Sequence, residues 1–285
     1  MSATLDIVIV SYRGKELLRR CLASVREHGA GAEMTVSVVD NASSDGTAEM
    51  VAAEFPEVTL LAQRENLGFA RAQNIGIRRG TGAAVLVLNP DAALEEGTLE
   101  PLLALLAEDP RIGCCGPALI REDGSFDHAA RRTFPTPLSA LGHFTGVGRR
   151  MDSGALAAYR APDVERGPVD AVNGAFMLLR RAALDDVGLF DEGYWMYMED
   201  LDLCARLKEG GWITFYEPAS RALHTKAGTT EGARGPKLNI AFHRGMGRFY
   251  RRHDAPRNGA LINFAVYVGI GVKLAISLAH EALRD

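Results

Sequence analysis

The sequence lacks the features that would place it in several large classes of protein. Its 285 residues carry a formal net charge of only −4, with 32 basic and 36 acidic side chains interspersed along the chain. This excludes a general nucleic-acid binder and leaves only local basic clusters to explain. Cysteine is scarce, at Cys21, Cys114, Cys115 and Cys204, and no pair has metal-finger spacing. Buried reduced thiols in a cytosolic protein are therefore expected. No Gly-rich turn follows the first apolar run, where Ser11-Tyr12-Arg13-Gly14-Lys15 stands, and there is no Walker-type loop. Dinucleotide-dependent redox and P-loop chemistry are thereby disfavoured. No Ser/His/Asp or Cys/His set marks a covalent nucleophile. The apolar run Ile7–Val10 is too short for a signal peptide, so a cytoplasmic location is expected. There is no internal repeat and no low-complexity tract.

What is present is a regular alternation. With 47% hydrophobic residues, the chain suits one large domain, or one domain with a terminal appendage. Leu5–Val10, Met34–Val39, Val58–Leu61 and Ala83–Leu88 are short runs rich in Val, Ile and Leu, as buried strands are. Lys15–Glu27, Thr47–Glu54 and Ala70–Arg79 between them have helical spacing. This order predicts an α/β fold with a largely parallel sheet, its sites at the carboxyl ends of the strands. Ser11 and Tyr12, Asp40 and Asn41, and Asn89-Pro90-Asp91 fall at three such ends. From Arg121 to Pro168 the pattern weakens into Gly, Pro and Arg. A long irregular excursion is expected there, with Arg131-Arg132 either meeting an anionic substrate or forming a solvated surface pair. Ala175–Arg180 and Trp212–Tyr216 read as further strands.

The densest chemistry lies in Glu199-Asp200-Leu201-Asp202, approached by Tyr194, Trp195 and Tyr197 and continued by a helix that ends at Gly210-Gly211. At helical spacing Glu199 and Asp202 share a face and Asp200 points elsewhere. A carboxylate alone in an aromatic pocket suits a general base for an alcohol nucleophile. The plainer alternative is that these acids merely favour the positive end of a helix. Asp40 ends an apolar strand before Asn41-Ala42-Ser43-Ser44-Asp45-Gly46, where a carboxylate can accept a pyrimidine imide N–H or a ribose hydroxyl; Asp45 is the helix-cap candidate. Asp91 suits a Mg²⁺ or Mn²⁺ that holds a diphosphate through oxygen ligands, with His224, after the last strand and a turn near Pro218, a candidate second ligand. At the C-terminus, Arg244, Arg248, Arg251 and Arg252 form a basic stripe. Leu261–Ala279 is then strongly apolar, with Lys273, Ser277, His280 and Arg284 on one narrow polar stripe. A helix on a membrane surface or against a second subunit fits this pattern, a core helix of the same domain being the alternative.

In order along the chain, Val8 to Tyr12, Val39 to Thr47, Glu65 to Ala70 with Asn74, Asn89-Pro90-Asp91, Phe190-Asp191 through Asp202, and Leu223 to Lys226 resemble the inverting glycosyltransferases of family two. The likeness is nearest to bacterial rhamnosyltransferases acting on polyprenyl-diphospho-N-acetylglucosamine. The resemblance implies a GT-A fold over residues 1–253, with a nucleotide-binding part over about 1–120 and an acceptor-side part over about 121–253. Residues 254–285 would form a C-terminal helical extension. It also implies that Ser11, Tyr12, Asp40, Asn66, Asn74 and Asp91 serve the donor. Asp200 would be the base, Trp195, Glu199 and Arg132 would lie on the acceptor side, and Asp91 with His224 would hold Mg²⁺ or Mn²⁺. One departure is that the family's Asp-x-Asp pattern is here Asn89-Pro90-Asp91. The implied reaction is inverting transfer, best guessed as L-rhamnose from dTDP-L-rhamnose to a glycan or lipid-linked sugar. The rival readings are another sugar such as galactofuranose, or a non-catalytic nucleotide-sugar-binding protein. The implied surroundings are the cytoplasm, peripheral to the inner face of the membrane, with a homodimer as the other use of the apolar helix.

Overall fold

The computed structural model describes residues 4–29, 33–135, 164–225 and 235–283. Four strands, β1 (Leu5–Ser11), β2 (Met34–Asp40), β3 (Thr59–Ala62) and β4 (Ala84–Leu88), run parallel and lie within two residues of the predicted spans. The helices between them are α1 (Lys15–His28), α2 (Thr47–Glu54) and α3 (Phe69–Arg79). Two further strands, β6 (Ile112–Ile120) and β11 (Ile213–His224), continue the parallel direction. Between β4 and β6 lies the antiparallel β10 (Phe176–Arg180). The full order is β3-β2-β1-β4-β10-β6-β11-β5, where β5 is Ala92–Leu94, and the short strand β8 (Gly167–Pro168) pairs with β11. β1 is followed on one side by β2 and on the other by β4, so the strand order reverses there and opens a crevice at their carboxyl ends. In that crevice Ser11 and Asp40 are register partners.

Core packing covers both faces of the sheet. On one face α1, α2 and α4 (Leu99–Glu108) bury Leu18, Leu22, Met50, Val51, Leu102 and Leu105 against Ile7, Ile9 and Leu86. On the other, α3 and the later helices bury Phe69, Ile77, Leu201, Leu203 and Leu207 against Val8, Val85, Val87 and Met177. The expected strand from Trp212 proves much longer. It bulges between Glu217 and Arg221 and resumes, so that His224 ends this strand rather than following a turn after it.

The helix α6 (Glu199–Glu209) follows a short α5 (Arg181–Val187) and is anchored by a buried ion pair. Arg206 Nε donates to Asp202 Oδ2 at 2.8 Å, with their side chains 7% and 0% exposed. The rest of the guanidinium donates to the carbonyls of Val187, Gly188 and Leu189. Asp202 also accepts from Tyr194 and from His253 Nε2, the last at 2.8 Å, so one carboxylate joins α6 to α7 (Pro236–His253). Burial alone would raise the Asp202 pKa, but the hydrogen bonds from His253 and Arg206 hold it below its ordinary value. His253 also meets Glu209 through Nδ1. Burial disfavours its charge, yet the two carboxylates raise its pKa above 6.5.

The C-terminal helix α8 (Ala260–Ala282) returns antiparallel along α7 and has no buried residue, which removes the core-helix alternative. Its polar stripe faces opposite to the side expected of a solvated face. Ser277 accepts from Asn239, Asn263 accepts from Tyr250, and Lys273 is half-buried, so these groups lie toward α7. The outward side carries Leu261, Phe264, Val268, Val272 and Ile276, each 46% exposed or more. His280 is exposed, and Arg284 lies outside the described residues. At 23 residues and mean hydropathy 1.9, α8 is long and apolar enough to cross a bilayer. The basic stripe also differs from expectation. Arg248 and Arg252 are ion-paired with Asp191 of their own domain, leaving Arg244 and Arg251 as exposed cations with no acidic partner among the described residues.

The anchoring role of Arg206 is testable. Replacing Arg206→Met should lower unfolding free energy by about 3–5 kcal/mol, because it leaves Asp202 charged and buried beside three orphaned carbonyls. Urea denaturation monitored by tryptophan fluorescence measures this. A loss below about 1 kcal/mol, the range of a surface pair, would contradict the anchoring role.

Candidate active site

The carboxyl ends of the strands collect buried polar atoms without protein partners. Among the described residues these include Ser11 Oγ, Asp40 Oδ1, Asn89 Oδ1, Asp91 Oδ1, both polar atoms of Gln73, and Glu199 Oε2. Buried polar groups in folded proteins are nearly always satisfied, so such a concentration marks a place where a ligand or water completes the bonding. The crevice between β1, β2 and α3 holds one group of these atoms. Asp40 is 3% exposed; its Oδ2 accepts weakly from Ser43 N at 3.3 Å, leaving Oδ1 open. Tyr12, 44% exposed, lies beside it with the Arg13 guanidinium over its ring. Asp45 is drawn into the turn rather than capping from the usual position. It accepts from Thr47 and from the backbone of Gly14 and Lys15; although burial opposes it, these bonds lower its pKa to about 2.

The loop from Asn66 to Phe69 closes one wall. Asn66 Oδ1 accepts from Gly68 N, and Asn41 clasps the loop through Leu67 N and Gly68 O. Gly68 has φ 82°, and a Cβ there would lie 2.3 Å from the Trp195 carbonyl, so only glycine fits. Phe69 N donates to that same carbonyl at 2.8 Å. Asn74 acts differently from a donor contact: both ends of its amide are taken up by Phe190 and Glu192, stapling α3 to the approach to α6. Gln73, one turn before the point where Gly76 packs on Val8 and Val39, was missed in the sequence. The available signal was a glutamine on an otherwise apolar helix stripe.

Asp91 and His224 come together. His224 Nε2 lies 3.7 Å from Asp91 Oδ1, and their side chains are 7% and 9% exposed. The other ring nitrogen, Nδ1, is held at 3.1 Å by Asp127 Oδ2, and Asp127 is itself buried and bonded to Ala129 N. A histidine steadied by a carboxylate on one nitrogen and open on the other is the usual form of a metal ligand. The donor set of one carboxylate oxygen and one imidazole, with Asp91 Oδ1 lacking a hydrogen bond, fits a divalent cation whose remaining ligands come from water and phosphate oxygens. Among the described residues no third His, Cys, Asp or Glu joins them. Asp127 carried no sequence signal, because it lies in the aperiodic stretch after β6.

Asp200 lies on the first turn of α6. Its Oδ2 accepts from Arg132 Nη2 and from Gly174 N at 3.0 Å, and Oδ1 accepts from Leu201 N. Arg132 is thus neither solvated nor paired with its neighbour. It belongs to β7 (Arg131–Arg132), which pairs with β9 (Ala171–Val172), and it also donates to Val172 O. Arg131 instead lies over the rings of Phe126 and Tyr216. Gly174 is the link between the two halves of the site: a Cβ there would meet Asp200 Oδ2 at 3.2 Å, and the next residue, Ala175, accepts from Asn89 N. The Asn173-Gly174 turn signal was present in the sequence but not used.

Asp200 and Asp202 face opposite ways, as their spacing implies, but Glu199 does not share the Asp202 network. It is 6% exposed, and burial, reinforced by the nearby Asp200 charge, pushes its pKa up to about 8. Just before it, Tyr197 and Met198 have φ values of 70° and 73°. Two successive bulky residues in the left-handed region cost about 1–3 kcal/mol each and persist only where surrounding packing compels them. Trp195 is half-buried, with the Lys237 ammonium 4.2 Å from its ring. Lys226 lies outside the described residues.

The chain is similar to known proteins in sequence and in fold. The family model "Glycosyl transferase family 2" matches residues 6–188. An N-acetylglucosaminyl-diphospho-decaprenol L-rhamnosyltransferase of Mycobacterium tuberculosis is 36% identical over 261 residues, covering 85% of this chain and 82% of that protein. Among solved structures, GalNAc-T7 with UDP, GalNAc and Mn²⁺ superposes with a TM-score of 0.63 at 19% identity, over 88% of this chain and 48% of that one. The mannosyltransferase PcManGT from Pyrobaculum calidifontis, in complex with GDP-Man and Mn²⁺, gives 0.61 at 20% identity, over 100% of this chain and 76% of that one. These likenesses bear out the GT-A fold, and with a family match over more than half its length the chain belongs to glycosyl transferase family 2, an enzyme family of sugar transfer.

Proposed function

We propose that the protein transfers L-rhamnose from dTDP-L-rhamnose, with inversion, to a hydroxyl of a polyprenyl-diphospho-N-acetylglucosamine. The sugar and acceptor rest on the likeness to the mycobacterial rhamnosyltransferase over most of both chains. The observation that carries the reaction type is Asp200, a single carboxylate set by Arg132 and Gly174, with the next residue, Ala175, bonded to Asn89 beside Asp91. Inversion requires one base and no protein nucleophile. Residues 1–120 would supply the donor pocket and residues 121–253 the acceptor side.

Tyr12 would stack on the base, and Asp40 Oδ1 would accept its imide N–H. The acceptor hydroxyl would enter beside Asp200, which takes its proton as the oxygen bonds to the anomeric carbon. The bond from that carbon to the diphosphate oxygen breaks on the opposite face, and dTDP departs with the electron pair. Arg132 orients Asp200 beforehand and exchanges part of that contact for the acceptor. Glu199, with its pKa near 8, remains largely protonated at neutral pH and can donate a hydrogen bond to the acceptor. Asp91 and His224 would hold a Mg²⁺ or Mn²⁺ ion, which when bound offsets the charge of the diphosphate. The outward apolar row of α8 supports contact with the inner face of a membrane, where a lipid-linked acceptor resides.

Three measurements test this reading. Asp200→Asn should reduce rhamnosyl transfer about 10²–10⁴-fold while donor binding stays nearly unchanged. Wild-type turnover in that variant would remove Asp200 from its role and leave Glu199 as the candidate.

Chelation, or Asp127→Ala acting through His224, should weaken dTDP binding in the presence of Mn²⁺, with a loss of about 10–100-fold in metal affinity for the substitution. Calorimetric titration of Mn²⁺ reads this directly. Metal affinity in Asp127→Ala equal to that of the unaltered protein would remove Asp127 from any part in holding the metal.

The full chain should sediment with lipid vesicles, and a chain ending at Asp254 should not, while still binding donor. If α8 joins two subunits instead, truncation changes the oligomeric state and vesicles have no effect.

A further inference from the structure

Asp202 and Asp200 point to opposite sides of α6, and behind Asp202 lies a cavity of about 290 Å³ lined by Asp191, Arg248, Arg251 and Arg252. Asp191 is shared by two guanidiniums: Arg248 donates Nε and Nη2 to it at 3.0 and 2.9 Å, and Arg252 donates Nη1 at 3.1 Å. Arg248 is also seated closely. It lies over the Tyr194 ring and rests against the backbone of Gly193, where a Cβ would fall 2.2 Å from its Cζ. The third cation, Arg251, is exposed and has no acidic partner among the described residues.

Three guanidiniums against one carboxylate leave two positive charges over. The acids behind the cavity do not balance them. Asp202 lies 3.8 Å from Arg252 but is already shared by Arg206 and His253, and Glu209 is shared by His253 and Arg257, so neither acid is spare. Bringing like charges together without counter-charge is unfavourable, yet here Asp191 holds two of them in fixed orientation with N–H groups left over. Oriented guanidinium forks match the oxygens of phosphate and neutralise a doubly charged anion better than a single carboxylate could. We infer that this cavity is a second anion site, built for a phosphate or diphosphate group and separate from the donor pocket. The cavity lies at the end of α7 that leads into α8, whose exposed Leu261 and Phe264 follow within four turns of chain. The phosphate can therefore belong to a lipid at a membrane surface or to a soluble molecule. The site stands on its own residues and does not depend on which sugar is transferred.

The experiment uses the full chain in EDTA, so that no metal recruits the probe to the donor pocket, with inorganic diphosphate titrated calorimetrically. Arg251→Gln removes the guanidinium that has no structural partner, so the variant should fold and should bind dTDP with Mn²⁺ as the unaltered protein does. Diphosphate affinity should fall about tenfold in Arg251→Gln and be partly restored in Arg251→Lys. A parallel arm measures sedimentation with phosphatidylcholine vesicles, with and without phosphatidylglycerol at constant ionic strength. A lipid source is identified if the phosphatidylglycerol-dependent part of binding is lost in Arg251→Gln and is displaced by diphosphate. A soluble source is identified if vesicle binding is unchanged while diphosphate binding falls. The inference is overturned if Arg251→Gln alters neither, or if Asp91→Ala abolishes diphosphate binding in EDTA, since the probe would then occupy the donor pocket. Failure of rhamnosyl transfer in any assay leaves these readouts untouched.

Discussion

The buried pair of Asp202 and Arg206 is the constraint on which the active site depends. Its two side chains are one helical turn apart, so their contact is local, yet the guanidinium reaches three carbonyls in the 187–189 turn and the carboxylate reaches α7. A charge pair so deeply buried gains little net stability over an apolar pair, because both ions lose their hydration. Its value is directional. By fixing the rotation of α6 about its own axis, it presents Asp200 to Arg132 and Gly174 on the opposite side. An apolar substitute would fill the volume and leave that rotation free to vary.

The same anchoring explains how the strained entry to α6 survives. Tyr197 and Met198 hold left-handed backbone conformations immediately before Glu199. Gly245 of α7 packs against the Tyr197 carbonyl and the Met198 side chain, where a Cβ would lie 3.0 Å from that carbonyl. Strain, ion pair and helix contact together hold two adjacent carboxyl groups in contrasting surroundings. Asp200 has a cation and a backbone N–H, whereas Glu199 has burial and a neighbouring negative charge. Neighbouring acids separated in this way can serve as proton acceptor and proton donor in one site.

Much of the fold was legible because buried parallel strands have a simple signature. The runs from Leu5 to Leu88 were found nearly to the residue, and so were the helices between them. The short strands β5, β8 and β9 were not, being too brief to show any period. Pro218 to Ser220 read as a turn, whereas the sheet absorbs them as a bulge and carries His224 on to Asp91. Asp40, Asp91, Asp200 and His224 could be picked out because each stands at the end of an apolar run or helix. Asp127 acts through a contact made far along the chain, with His224, and nothing local announces it, whereas Gln73 and Gly174 carry only weak local signals, a polar residue on an apolar stripe and an Asn-Gly turn. The helix α8 was found by its composition, but the direction of its polar stripe could not be, since period alone does not say which face a neighbour covers. The arginine stripe was misread for a related reason: its partner, Asp191, is 57 residues from Arg248 in sequence.

The contact of Gly68 and Phe69 with the Trp195 carbonyl joins two stretches that would otherwise be independent. One borders the crevice of β1 and β2, and the other leads directly into α6. Because the join is made by backbone at van der Waals distance, neither stretch can shift without moving the other. A displacement of either stretch is therefore passed to the other, so the crevice and the entry to α6 keep one fixed spacing.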